Sequence, residues 1–360
     1  MSVDARSTAR ARVTSRWRRL GTMQPVGLAT LLLLACATLS LTQGAASIPP
    51  LTAITFVLNQ LPLVHIDVDA PASWRTIVID VRLPRLVAAG VVGAALAYSG
   101  ATYQGVFRNP LADPYLLGVA SGAALGASIA IVSPLDATSY GFGWVPLLAF
   151  AGAAAAVLLA YASAQVGRTI SNTSLILAGI AISAVAGAIT SFILLTGGER
   201  SQSILSFLFG SFNTATWQRL VLGLPYLAVG MAVIAMHARM LNVLQLDEEQ
   251  AAQLGVDVAR TKLILLGAAS LIAATAVAMA GVIGFVGLVV PHVTRMIFGG
   301  DYRRLLPLAA LIGASFLIGT DVLARTVLRP QEVPVGIVTA LVGGPFFLYL
   351  MRARQLGGFR

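Results

Sequence analysis

Ten apolar runs, most of them about 20 residues long and almost free of charge, divide this sequence of 360 residues. A helix that crosses a bilayer needs about 20 mostly apolar residues, because lipid offers its backbone no hydrogen-bond partners. Only 11% of the residues are charged, against about 25% in an average soluble domain. We therefore predict an all-α polytopic membrane protein with about ten spans, at residues 25–44, 83–105, 115–133, 145–166, 174–196, 217–237, 262–281, 284–298, 305–323 and 334–351.

The two ends of the chain are rich in arginine and set the predicted orientation. Basic residues favour the cytoplasmic side of a membrane. The tail before the first span, 1–24, carries six arginines, and ten crossings return the second tail, 352–360, to the same side. We predict that both tails are cytoplasmic and that 25–351 form one transmembrane domain.

Two apolar segments allow other interpretations. The first run is followed by "QGAAS", which resembles a signal-peptide cleavage site. An uncleaved first helix is the preferred interpretation, because many further spans follow it. The stretch 204–213 is too short to span, so we expect it at a surface or in a re-entrant position.

Several kinds of chemistry have no sequence support. The one lysine, Lys262, belongs to no phosphate-binding G-x-x-x-x-G-K-[ST] motif, and the three histidines are far apart. Cys36 is the single cysteine, so no intrachain disulfide can form. The net charge of +10 comes from arginines at the ends of apolar runs, not from a basic soluble face that would bind nucleic acid. The spans hold few acids; Asp321 is predicted near the external end of the ninth. These observations disfavour an enzyme, a metal site and an ion-coupled carrier.

An acidic segment, "LDEEQAAQLGVD", interrupts the apolar sequence at 246–257, inside the internal loop 238–261. Asp247 followed by Gln250 matches a capping box, and Glu248 and Glu249 favour the positive end of a helix dipole. Gly255 supplies a left-handed stop. The pattern predicts a short, capped cytoplasmic helix, which could contact a soluble partner or be an ordinary surface helix between two spans.

Three further motifs are predicted near span ends. "RNPLADPYLLG" (108–118) contains two prolines and predicts a tight cytoplasmic hairpin. "AGVIGFVGLVVPHVTR" (280–295) places glycines at 281, 284 and 287 in a close-packing stripe, with Pro291 interrupting the eighth span. "RLPRLVAAG" (82–90) and Arg325 put arginines at external boundaries. Those arginines either reach lipid phosphates or form a positive platform for an acidic partner.

Together these motifs resemble the FecCD family of ABC importer permeases over roughly 75–352. The matching text is "RLPRLVAAGVVGAALAYSGATYQGVFRNPLADPYLLGVASGAALGA", "LDEEQAAQLGVDV", "AGVIGFVGLVVPHVTRMIFGGDYRRLLPLAALIGASFLIGTDVLAR" and "EVPVGIVTALVGGPFFLYLM". The resemblance implies a type II ABC importer permease fold and a homodimer in the bacterial inner membrane. It also implies two separate ATPase subunits inside, which bind ATP and Mg²⁺, and a substrate-binding protein outside. No cofactor or metal is expected on this chain.

The resemblance also implies roles for individual residues. It assigns ATPase coupling to Leu246, Asp247, Glu248, Glu249, Gln250, Gln253, Leu254 and Gly255. Docking of the binding protein falls on Arg82, Arg85 and Arg325. The cytoplasmic gate falls on Asn109, Leu111, Asn172 and Thr173, and the fifth and tenth spans are expected to line the pathway.

The predicted function is therefore the transmembrane subunit of an ATP-driven importer of a bulky metal chelate. A ferric siderophore ranks first because of the breadth of the family, followed by haem and then cobalamin; no residue discriminates among them. The main rival is a secondary transporter that has no ATPase.

Overall fold

The structure is a computed structural model that describes residues 23–44, 46–62, 64–134, 143–166, 169–170 and 172–355. Fifteen α-helices lie within these ranges. They are α1 (Met23–Thr42), α2 (Pro50–Leu58), α3 (Ala72–Thr76), α4 (Leu83–Val106), α5 (Val119–Val132), α6 (Trp144–Ala164), α7 (Asn172–Thr196), α8 (Ser201–Leu208), α9 (Trp217–Met236), α10 (Ala238–Val243), α11 (Glu248–Gln253), α12 (Val258–Ala280), α13 (Val286–Phe298), α14 (Tyr302–Thr326) and α15 (Val335–Gln355).

Short elements connect these helices. A π-helical turn, Ile77–Arg82, joins α3 to α4, and 3₁₀ turns occupy Pro114–Leu117 and Gly198–Arg200. Two strands of two residues each, β1 (Gln165–Val166) and β2 (Thr169–Ile170), pair antiparallel between α6 and α7. The predicted external segment 45–82 therefore contains helical structure that the sequence reading did not specify.

Each of the ten predicted spans coincides with one helix, so the polytopic all-α fold is confirmed. Six of these helices are long and apolar enough to cross a membrane on length and composition alone: α1, α6, α7, α9, α12 and α14. Apolar helices of fewer than 18 residues cover α5, α13 and the Val335–Tyr349 part of α15. The one remaining predicted span, 83–105, is α4, whose 24 residues are mostly buried among the other helices.

Helix α4 lies at the centre of the packing because its small residues let other backbones approach closely. A Cβ atom added at Gly100 would overlap the carbonyl oxygen of Gly287 in α13. One added at Gly93 would overlap the carbonyl oxygen of Gly313 in α14. Membrane helices associate through such close contact between small residues, since lipid is as apolar as their side chains.

The predicted glycine stripe at 281, 284 and 287 is wrong as a feature of one helix. Helix α13 begins at Val286, and residues 281–284 lack helical structure. Gly281 has φ 74° and ends α12, while Phe285 has φ 69° immediately before α13. Only Gly287 lies on α13, where it packs against Pro114. Pro291 lies inside α13, which continues past it to Phe298, so the predicted interruption does not end the helix.

The non-helical break is stabilised by the segment that was predicted to be too short to span. Helix α8 has eight residues, and its last turn and the chain after it form hydrogen bonds with the break. The Val282 N–H donates to the Phe207 carbonyl (3.0 Å), and the Ser211 N–H donates to the Ala280 carbonyl (2.8 Å). These bonds replace the helical ones that residues 281–284 do not make.

Candidate functional site

The acidic segment forms a short helix with a glycine stop, as predicted. Helix α11 follows Asp247, whose backbone is extended, and Gly255 is left-handed with φ 82°. The Gly255 N–H donates to the Ala252 carbonyl (2.9 Å), and the Val256 N–H donates to the Ala251 carbonyl (3.2 Å). This pair of bonds is a Schellman motif, which satisfies carbonyls at the helix end.

The predicted capping box is wrong. The Asp247 side chain makes no capping hydrogen bond to α11. Its Oδ1 lies 3.2 Å from Nη1 of Arg108, and the same nitrogen donates to the Leu246 carbonyl at 3.1 Å. The carboxylate therefore connects α11 to the 108–118 hairpin, because a cation from another loop competes for it with the α11 backbone.

The hairpin that supplies Arg108 is tightly built. Arg108 has φ 50°, and Asp113 accepts a hydrogen bond from the Tyr115 N–H at 2.8 Å. Burial raises the pKa of Asp113 to about 6, although the Tyr115 bond acts in the opposite direction. The Tyr115 hydroxyl donates to the Ile283 carbonyl at 2.9 Å. The hairpin is thus attached both to the acidic segment and to the break between α12 and α13.

Asn242 of α10 attaches the other side of the internal loop to α14. Its Nδ2 donates to Oδ1 of Asp301 (2.7 Å), and its Oδ1 accepts from the Tyr302 N–H (2.9 Å). The hydrogen bond from Asn242 is the main cause that holds the pKa of Asp301 below its usual value; the N–H of Arg303 adds to it. Both polar ends of one amide therefore bind the start of α14.

Two further contacts join α4 and α13 to this region. Gln245 Nε2 donates to the Gly105 carbonyl of α4 at 3.1 Å. Tyr302 is fully buried, and its hydroxyl accepts a hydrogen bond from Arg295 Nη2 of α13 at 2.7 Å. We call the residues that join α4, α10, α13 and α14 the cytoplasmic cluster: Gly105, Asn242, Gln245, Arg295, Asp301 and Tyr302.

The segment supported by the cytoplasmic cluster presents an exposed surface. Seven of the eight predicted coupling residues are exposed: Leu246, Asp247, Glu249, Gln250, Gln253, Leu254 and Gly255. The eighth, Glu248, begins α11. Leu254 is the more exposed of the two leucines among them, at 63% against 42% for Leu246, while Ala251 within α11 is buried. We call these eight residues the α11 surface.

The predicted gate residues lie in two places. Asn109 Oδ1 accepts from the Leu111 N–H (3.0 Å) within the hairpin. Asn172 begins α7 and accepts a hydrogen bond from Lys262 Nζ (3.3 Å), while Thr173 is exposed. No hydrogen bond joins the two pairs in the part of the chain that the structure describes, so a gate role for them stays a prediction.

The external arginines are buried and internally bonded. Arg85 places Nη2 2.8 Å from Asp321 Oδ1 and Nη1 2.9 Å from Glu332 Oε2. Arg325 places Nε 3.0 Å from Asp321 Oδ2, and its Nη2 donates to Ser40 Oγ at 3.0 Å. We call Arg85, Asp321, Arg325 and Glu332 the external ion network.

Arg82 is also buried, because its guanidinium group donates to the Leu41 carbonyl (2.6 Å) and to the Ala46 carbonyl. The expectation that Arg82, Arg85 and Arg325 form an exposed positive platform is therefore wrong for this structure. Their acceptors come from α1, α14 and the loop after α14, at sequence separations of up to 285 residues, which local patterns do not reveal.

The sequence did not predict the ion pairs of the two acids in the external ion network. Asp321 was noted only for its position near the external end of a span, and Glu332 was not noted. One signal was present: Asp321 and Arg325 are four residues apart on α14, a spacing at which opposite charges meet.

Comparison with known proteins identifies the family to which this chain belongs. The profile of the FecCD transport family matches residues 32–353. The chain is 42% identical to the cobalamin import system permease protein BtuC of Halobacterium salinarum, over 92% of this chain and 91% of that protein. It is 43% identical to the hemin transport system permease protein HmuU of Yersinia pestis, over 79% and 85%. The Fe(3+) dicitrate transport system permease protein FecD of Escherichia coli is 37% identical, over 89% and 96%.

Solved structures agree with these sequence matches. A metal-chelate type ABC transporter in an inward-facing conformation superposes with a TM-score of 0.74 and 34% identity, covering 90% of this chain and 97% of that one. PsaBC from Streptococcus pneumoniae shares the fold at a TM-score of 0.53 and 21% identity, covering 74% and 89%. The chain is a multi-pass permease component of an ABC importer in the bacterial inner membrane, with the ATPase on a separate subunit, and it belongs to the FecCD transport family.

Proposed function

We propose that this chain translocates a bulky metal chelate and receives its driving force through the α11 surface, where an ATPase subunit binds. The observation that carries the proposal is the attachment of the loop that contains this exposed, polar helix to the 108–118 hairpin, to α4 and to the start of α14. A surface helix that only linked two spans would not need the Arg108 contacts or the cytoplasmic cluster.

The attachments make α11 suited to transmit movement. A displacement of α11 pulls on the hairpin through Arg108, while Asn242 and Gln245 connect the same loop to α14 and α4. Packed protein interiors transmit displacement because they contain little free volume. The polar α11 surface allows a contact with the ATPase to form and separate in water during each cycle of ATP binding and hydrolysis on that subunit.

The assembly that we propose is a homodimer with the pathway at its axis, two ATPase subunits inside and a binding protein outside. Helices α7 and α15 are our candidates for the axis. Only 17% of the most apolar stretch of α7 is buried within the chain, against 72% for α12, so α7 has surface available for a second copy. The gate would then combine Asn109, Leu111, Asn172 and Thr173 with the same residues of the partner.

Docking of the binding protein remains assigned to the external end, with a revised role for the arginines. Arg82, Arg85 and Arg325 hold α1, α4 and α14 together there. A direct ion pair between them and an acidic partner would require exchange of the internal acceptors. Glu332 is the most accessible of these acceptors, since its side chain is 36% exposed.

Among metal chelates, we propose cobalamin first and haem second. The relatives whose names specify cobalamin and hemin are 42% and 43% identical to this chain, and the ferric dicitrate permease is 37% identical. The cobalamin permease also matches over most of both chains. A ferric siderophore, which ranked first on sequence grounds, becomes the third candidate.

Transport in liposomes tests this proposal. The chain would be reconstituted with its ATPase and binding protein, and uptake of radiolabelled cobalamin, haem and a ferric siderophore would be compared with and without ATP. ATP-dependent uptake of one chelate is expected. Uptake driven by a proton gradient with no associated ATPase would support the secondary transporter instead.

A matched pair of variants tests the α11 surface separately from cargo. Leu254→Asp should abolish co-purification of the ATPase, because it places a charge at the most exposed leucine of the proposed contact. Leu61→Asp changes a leucine that is 53% exposed on the predicted external side and should leave ATPase binding intact. Full ATPase binding and uptake by the Leu254 variant would reject the assignment.

A further inference from the structure

A cavity of about 170 Å³ lies between α6, α9 and α12, away from the α11 surface and the external ion network. Its lining includes Pro146 and Phe150 of α6, Arg219 and Tyr226 of α9, and Ala278 of α12. We propose that it is a lipid site: Arg219 binds the phosphate of an anionic phospholipid of the outer leaflet, and part of one acyl chain occupies the cavity.

The size of the cavity selects the ligand. Binding pockets for drug-sized molecules occupy about 300–1,000 Å³, so a bulky metal chelate does not fit. An apolar cavity of about 150 Å³ accepts a molecule the size of benzene. The space here, at about 170 Å³, therefore admits a short hydrocarbon segment. Phe150 and Tyr226 contribute aromatic surface, with ring centroids 5.8 Å apart.

Arg219 gives the cavity a charged component that no acid neutralises. Its Nη1 donates to the Thr214 hydroxyl at 2.6 Å. No carboxylate lies within ion-pairing distance of it among the described residues. A guanidinium has five N–H donors in a planar fork that matches phosphate oxygens. A partly buried cation beside an apolar cavity is complementary to a ligand that joins a phosphate to a hydrocarbon chain.

Tryptophan positions place the cavity at headgroup level. Trp144 is the first residue of α6 and Trp217 is the first residue of α9, where it is 42% exposed. Tryptophan is enriched at the boundary between membrane and water. Arg219 follows Trp217 by two residues, so its guanidinium group lies near that boundary. The predicted topology puts these helix starts outside, which selects the outer leaflet.

Native mass spectrometry of the detergent-purified full-length chain tests the site. Phosphatidylglycerol and phosphatidylcholine would be titrated separately, and the apparent affinity for the first bound lipid measured. Inorganic phosphate would be added as a competitor. The variants are Arg219→Gln, Arg219→Lys and Ala278→Leu, which fills the cavity while keeping the arginine. Arg75→Gln is the matched control, since it removes an exposed arginine on the same predicted side.

We expect Arg219→Gln to weaken phosphatidylglycerol binding about tenfold, as for loss of a charge-assisted hydrogen bond, and Arg219→Lys to restore part of it. Ala278→Leu should weaken both lipids, and Arg75→Gln should change neither. Unchanged binding in the Arg219→Gln variant would overturn the proposal. So would displacement of the lipid by inorganic phosphate, which would indicate a free-anion site. Failure of the wild-type chain to retain phosphatidylglycerol would also overturn it.

Discussion

Replacing Arg85 by methionine should strongly destabilise the protein, because it leaves a buried carboxylate with one partner fewer. The Asp321 side chain is 1% exposed and is bonded by both Arg85 and Arg325. Removing one partner of a buried ion pair costs about 3–5 kcal/mol. Since Arg325 remains 3.0 Å from Asp321, we expect a loss near the lower end of that range, about 3 kcal/mol.

The same arginine offers an internal comparison through its second acid. Glu332 is 36% exposed, and exposed ion pairs contribute about 0–1 kcal/mol. Glu332→Gln should therefore cost at most about 1 kcal/mol, although its distance to Arg85, 2.9 Å, is nearly the same as that of Asp321, 2.8 Å. Asp321→Asn and Glu332→Gln each change one of the two acids that pair with Arg85 at nearly equal distance, so their comparison separates the effect of burial from the effect of distance.

The assay is reversible unfolding in detergent, followed by tryptophan fluorescence, for Arg85→Met, Asp321→Asn, the double variant and Glu332→Gln. Direct contact predicts that the double variant loses less than the sum of the single losses. Equal losses for Arg85→Met and Glu332→Gln, or additive losses in the double variant, would refute the reasoning from burial.

Three further predictions concern other regions. Gly100→Ala should lower the free energy of unfolding by about 1–3 kcal/mol, because the added Cβ overlaps the α13 backbone. Gly267→Ala is the control in α12: its Cβ meets open space, so it should be neutral or stabilising. Thermal unfolding of the two variants measures the difference. The pKa of Asp113 is raised to about 6 in the folded protein, so the fold loses stability as the carboxyl group ionises between about pH 4 and 6. Asparagine does not ionise, so the melting temperature of Asp113→Asn relative to wild type should rise over that pH range. A melting-temperature difference that stays constant with pH would contradict this. Arg108→Gln should change stability by less than about 1 kcal/mol, because its partner Asp247 is exposed, yet it should slow ATP-dependent uptake; unchanged uptake would separate the hairpin from coupling.

The membrane helices were predictable because lipid imposes a length and a composition on each of them. All ten predicted spans are present, and the glycine stop at Gly255 was correctly identified from local rules. The start of α13 was misplaced by two residues because Gly284 and Phe285 read as apolar helix. The hydrogen bonds that keep this break non-helical come from residues 207 and 211, which a local pattern does not include.

The charged residues were harder to place than the apolar ones. Arg85 and Asp321 are 236 residues apart in sequence, so position alone gave an exposed arginine at a membrane boundary. Asp247 had an adequate local role as a helix cap, but Arg108, 139 residues away, binds it instead. In both cases an ion pair between distant segments replaced the local contact that the sequence predicted, because a charged side chain is stabilised by whichever opposite charge the fold places beside it.

The glycine contacts of α4 have a mechanical consequence. At Gly93 and Gly100 the α4 backbone lies against the backbone carbonyls of Gly313 and Gly287, which leaves little room for these helices to move past one another. We therefore expect helices α4, α13 and α14 to move as one unit when the transporter changes state. Relative motion is then expected in less buried helices such as α7. Amide hydrogen exchange should be slowest in α4, α13 and α14 and faster in α7.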